Sequence, residues 1–236
     1  MTTHPHPTPR PALHLHISEF WSGDLGLTLV TISLAVLIFV ITPLREAGLP
    51  GRLFFDLVVL VLMVFAALSI KQSRSAKVFA IALVLLCALV LAAGRLHPTP
   101  FLQRLGSFLV VATLLLYVRI VLLVMFRGGP ITWSRIQGGV CAYLLLGMAW
   151  ASAFQLVEQL IPGSFYFVTA PKDIDQLTSK LIYFSFATLT TVGSSITPML
   201  PFARSLTIAE AVVGQLFPAT LIGALVAMAM ASRNPS

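Results

Sequence analysis

The sequence predicts an all-α membrane protein with six transmembrane helices, a re-entrant helix and an irregular loop. Three observations carry that expectation. Of 236 residues, 58% are hydrophobic and 10% charged, and the mean hydropathy is +0.95, more apolar surface than a water-soluble core absorbs. Six apolar segments are separated by short polar or turn-forming connections. A seventh apolar stretch is too short to cross and leads into a hydroxyl-rich run broken by glycine.

The six segments run over Leu25 to Ile41, Phe54 to Ile70, Val78 to Ala93, Leu105 to Phe126, Val140 to Leu160 and Ser205 to Ala231. Most reach or approach the ~20 residues that a helix needs to cross ~30 Å of hydrocarbon. Thr42-Pro43, Gly94-Arg95 and Gly128-Gly129-Pro130 mark ends by turn chemistry or charge. Between the fifth and sixth segments, Leu177 to Leu189 makes a helix of only ~20 Å, which must leave the membrane by the side it entered. The following Thr190 to Thr197 carries hydroxyls around Gly193. Irregular backbone at membrane depth persists only where protein buries it or where it lines a watery path.

The sequence divides into a flexible tail at 1–20, a four-span bundle at 21–127 and a terminal unit at 128–236. The tail interleaves His4, His6, His14 and His16 with Pro5, Pro7, Pro9 and Pro11, and proline blocks regular hydrogen bonding there. Net charge is +7, but the basic residues are scattered over loops and span ends. This favours anchoring near lipid headgroups and argues against a nucleic-acid partner. Lys71, Arg74 and Lys77, with Arg127 and Arg135, favour the cytoplasmic side of a plasma (inner) membrane for both termini, a weak bias because Arg45, Arg52, Arg95, Arg104, Lys172 and Lys180 fall on the opposite side. Cys87 and Cys141 lie within apolar segments and read as small buried hydrophobes. The spans show no histidine cluster, paired carboxylates or nucleophile with an adjacent base, so no enzyme, catalytic residue or cofactor is expected. A secondary transporter would show two broken repeats, whereas one break is present.

The run Tyr183-Phe184-Ser185-Phe186-Ala187-Thr188-Leu189-Thr190-Thr191-Val192-Gly193, followed by Ile196-Thr197-Pro198, resembles the pore helix and filter of the potassium-channel pore-domain superfamily. It is similar to bacterial six-span members without a voltage sensor. Ala203 to Phe217 resembles the start of their inner helix, while the first four spans agree only in number and placement. The resemblance implies a tetrameric, channel-like architecture: a homotetramer in lipid, with monovalent cations as the permeant species and no other metal or cofactor. In relatives the filter reads Thr-Val-Gly-Tyr-Gly-Asp before Ile-Thr-Pro. Here Ser194-Ser195 stand for Tyr-Gly-Asp, so one residue is missing and the filter is degenerate.

By that resemblance the filter residues are Thr190, Thr191, Val192, Gly193, Ser194 and Ser195. Carbonyls from 190 to 193 and the Thr191 hydroxyl replace part of a hydration shell. The outer half is altered, because Ser195 resists dihedrals that glycine accepts. Three outcomes follow: weak or different cation selectivity, potassium selectivity, or a non-conducting tetramer with a sensing or structural role. Thr188, Glu210 and Asp175 are the expected pore supports. Glu210, the one acid in the last span, needs a donor such as Thr188 or Ser185, and Asp175, near Asp173, is the candidate helix cap. Gly214, Pro218 and Gly223 form a candidate hinge, and Leu225 and Met228 a candidate apolar gate. Only Arg119 lies well inside the fourth span, too little charge for a voltage sensor.

Overall fold

The computed structural model describes residues 24–46, 74–97, 99–125 and 133–233. The tail at 1–20 and the expected second crossing at 54–70 lie outside the described residues. The described chain is helical apart from one two-stranded ribbon. In order, it comprises α1 (Asp24–Val36), a π-helical turn (Leu37–Ile41), α2 (Thr42–Glu46), α3 (Arg74–Leu96), α4 (Pro100–Met125) and α5 (Trp133–Leu160). After these come β1 (Phe165–Tyr166), α6 (Ile174–Leu189), β2 (Thr197–Pro198) and α7 (Pro201–Arg233).

Four described stretches are long and apolar enough to cross a membrane: Val78–Leu96, Pro100–Leu123, Arg135–Leu160 and Pro201–Ala227. The shorter Val30–Leu44 is also apolar. The four long stretches fall on the third to sixth expected crossings and the shorter one on the first, with α3, α4, α5 and α7 each starting earlier than hydropathy alone suggested. Polar first turns escape a hydropathy window but still gain helical hydrogen bonds.

Thr42-Pro43 does not end the first apolar segment. Pro43 has no N–H for the Phe39 carbonyl, and the helix widens instead of stopping. The Thr42 N–H reaches the Leu37 carbonyl, which also accepts the Thr42 hydroxyl at 2.9 Å. The chain then continues as α2.

Two apolar clusters hold α5 and α6 in place. In the first, Leu37 and Ile38 meet Val84, Leu114, Cys141, Leu145, Met148 and Ile182, joining α1, the π turn, α3 and α4 to α5 and α6. In the second, Phe154 of α5, Phe165 of β1 and Phe184 of α6 pack edge to face. Their ring centroids lie 5.4, 5.1 and 5.5 Å apart, inside the range where aromatic quadrupoles attract. Cys87 and Cys141 are free and buried.

The ribbon closes the loop around α6. Antiparallel pairing sets Phe165 opposite Pro198 and Tyr166 opposite Thr197, and the Met199 N–H donates to the Ser164 carbonyl at 2.8 Å. Glu158, at the end of α5, accepts from the Gly163 and Phe165 amides at 2.9 and 3.0 Å. It therefore shapes this turn. A segment leaving α6 is thus brought back to where the chain entered.

Candidate functional site: the segment after the short helix

Helix α6 has 16 residues, about 24 Å at 1.5 Å per residue, so it is somewhat longer than Leu177 to Leu189 but still short of a crossing. Its N-cap is Asp173, whose Oδ1 accepts from the Asp175 and Gln176 amides at 3.0 and 2.8 Å. Asp175 therefore lies in the first turn and is not the cap. A cap requires extended backbone, and Asp173 has it, with φ −149° and ψ 175°.

Beyond Leu189 the backbone changes hand twice: Thr191 has φ +59° and Gly193 φ +86°. Thr191 is the one described non-glycine residue with positive φ. The strain expected at Ser195 thus falls at Thr191, a β-branched residue for which this region is an outlier. Two hydrogen bonds hold the turn to the helix end. The Thr191 N–H donates to the Thr188 carbonyl at 3.0 Å and the Gly193 N–H to the Ala187 carbonyl at 3.1 Å.

Because a trans peptide sets C=O opposite N–H, those bonds turn the Thr190 and Val192 carbonyls away from α6. Residues 190 to 193 are exposed, Val192 by 80%. Carbonyl oxygens and hydroxyls thus gather on a surface that the chain leaves uncovered. The Thr191 hydroxyl donates to the Thr190 carbonyl at 2.7 Å, and that of Thr190 to the Phe186 carbonyl at 2.6 Å. Ser194 Oγ accepts from the Ile196 N–H at 3.1 Å, while Ser195 is exposed.

Behind this surface lies a polar contact between three helices. Glu210 of α7 is fully buried. Ser185, and not Thr188, is its partner, with Oγ 2.5 Å from Glu210 Oε1 and 2.7 Å from the Gly147 carbonyl of α5. Glu210 Oε2 has no hydrogen-bond partner among the described residues. Thr188 contributes its carbonyl to the turn.

The expected hinge residues separate into distinct roles. At Gly214 an added Cβ would overlap the Leu189 carbonyl oxygen, which is backbone and cannot give way. This glycine permits α7 to lie against the end of α6. The same Leu189 carbonyl accepts from the Tyr143 hydroxyl at 3.2 Å. At Gly223 a Cβ would meet nothing within 4 Å. α7 remains one helix through Pro218, whose missing N–H leaves the Gly214 carbonyl without its helical donor. Leu225 is half-buried, and the Met228 side chain lies outside the described residues. Arg119 is exposed.

Tyr143 and Gln215 were not anticipated from sequence. Gln215 Nε2 donates to Thr191 Oγ1 at 3.4 Å, and Tyr143 stacks at 5.7 Å on Phe217 of α7. The available signal for Gln215 was an uncharged amide in an apolar span, directly after Gly214. Tyr143 carried no comparable signal, since a tyrosine in an apolar helix is ordinary.

No curated protein and no solved structure matches the chain. Residues 142–231 match the family model described as an ion channel. The matched stretch begins on α5, includes α6 and the strained turn, and ends in α7, so the ion-channel likeness falls on the elements that build the uncovered carbonyl surface.

Proposed function

We propose that four copies of this chain assemble about a four-fold axis in a plasma (inner) membrane and conduct monovalent cations through a shortened, altered filter. Weak or different selectivity is the favoured form, because two serines replace the outer coordination layers of the family pattern. The observation that carries the reading is the exposed turn at 190–193, whose Thr190 and Val192 carbonyls are turned away from α6 by the bonds to Thr188 and Ala187. Four such turns facing one axis supply the oxygen rings that replace water around a cation.

Helix α7 supports assembly. Only 11% of its apolar window is buried, against 56% for α5, and Ile208, Val212 and Leu216 form an exposed stripe at helical spacing. In a closed ring, neighbouring copies cover part of that surface and lipid covers the remainder. The charge pattern favours both termini on the cytoplasmic side. In this arrangement 21–127 is a peripheral bundle, 128–236 is the pore unit, and Leu225 and Met228 narrow the path below the filter.

Purified protein in planar bilayers under opposed potassium and sodium gradients tests the reading. Cation currents reversing close to zero are expected. Reversal at the potassium potential would instead establish selectivity, and silence from an intact tetramer would favour the sensing or structural role.

A further inference from the structure

Thr191 combines two properties that rarely coincide. It is β-branched with φ +59°, and its side-chain oxygen lies in the inner part of the proposed filter, whereas the Thr190 hydroxyl bonds back to the Phe186 carbonyl of α6. Such backbone persists only where neighbours over-determine it. Two contacts engage its hydroxyl: the hydrogen goes to the Thr190 carbonyl at 2.7 Å, and one lone pair accepts from Gln215 Nε2 at 3.4 Å. A hydroxyl has one hydrogen and two lone pairs, so one lone pair is left for a cation.

The position of Gln215 is set by its neighbour. Gly214 lies against the Leu189 carbonyl, and Tyr143 holds that carbonyl from α5. The amide following Gly214 is thereby brought beside the first residues of the turn. It donates without charge, so it orients an oxygen without repelling the ion that the oxygen would meet.

We propose that Gln215 is a positioning residue for cation selectivity: its amide fixes the Thr191 hydroxyl as the innermost coordinating oxygen, in a filter whose outer layers are shortened. This rests on the cation-channel reading above. With fewer rings to discriminate between ions, the rigidity of those that remain matters more.

The test uses the full-length protein in bilayers, with melting of the purified tetramer in potassium and in sodium as a second readout. Gln215→Met keeps the length of the side chain and removes the donor, Gln215→Ala removes both, and Thr191→Val removes the hydroxyl at constant shape. Gln215→Met is expected to change the potassium-to-sodium permeability ratio by about five-fold, the size of one ordinary hydrogen bond. It should add little further change in the Thr191→Val background, since the two groups act through one contact.

An unchanged ratio in both Gln215 variants, or shifts that add fully in the double variant, overturns this role and leaves the channel reading standing. If both Gln215 variants fail to assemble while Thr191→Val assembles, Gln215 is structural only and the proposal also falls. Wild-type protein that neither conducts nor melts differently in the two cations overturns both readings.

Discussion

A methyl group at Gly214 would stand where the Leu189 carbonyl oxygen already lies, whereas Gly223 has open space beside it. The two glycines therefore predict opposite outcomes, although both are helix-interior glycines in one span. Gly214→Ala is expected to destabilise the purified protein by about 1–3 kcal/mol, the usual cost of overpacking. Gly223→Ala should be neutral or stabilising by up to about 1 kcal/mol, because alanine is the better helix former. Thermal unfolding in detergent distinguishes them, and equal effects would contradict the close approach at Gly214. Glu210 gives a second test at this scale. Its carboxyl is fully buried, with one oxygen held by Ser185 and the other unpartnered among the described residues. Glu210→Gln keeps shape and the contact to Ser185, so stability should stay within about 1 kcal/mol. Glu210→Ala opens a void behind α6 and should cost about 2–4 kcal/mol.

Among the elements, α6 matters most, because its two ends set the geometry of the turn that follows. Its start depends on Asp173, and Asp173→Ala should cost about 1 kcal/mol, whereas Asp175→Ala should cost less, having no cap to lose. Urea or thermal unfolding of both variants checks the order. Much of this element was legible beforehand: a helix too short to cross follows from the length of the apolar run, and a buried acid in the last span required a donor, which Ser185 supplies. The two-residue error in the cap arose because Asp173 and Asp175 both precede the apolar run, and only backbone dihedrals separate them. The roles of Gly214 and Gln215 are tertiary, depending on how closely α7 approaches the end of α6, and hydropathy carries no record of interhelical distance. The strain at Thr191 was hidden similarly. Ser195 stands where the family pattern has glycine, but the described chain makes its left-handed turns earlier, at Thr191 and Gly193. The π turn before Pro43 was misread as a terminus, since sequence shows the missing donor but not the widening that accommodates it.

On the scale of the whole molecule, the shortened filter and the room beside it make one prediction together. A cavity of about 410 Å³ is lined by Phe167, Tyr183, Lys180, Ser195 and Ile196, adjacent to the position where Ser194-Ser195 replace the tripeptide of the family pattern. An aromatic ring introduced after Gly193 has space there, between the ribbon that anchors Thr197-Pro198 and the exposed side of α6 at Tyr183. Replacing Ser194-Ser195 by Tyr-Gly-Asp restores the missing residue, supplies glycine where irregular backbone is needed and adds carbonyl layers above Val192. If loose selectivity comes from the lost layers, the restored protein should favour potassium over sodium about ten-fold more than wild type, a difference near 1.4 kcal/mol. Reversal potentials in bilayers measure this directly. A restored chain that assembles as a tetramer and conducts with the wild-type ratio would show that discrimination is set elsewhere, and the inner layer at Thr191 would then carry the ion preference alone.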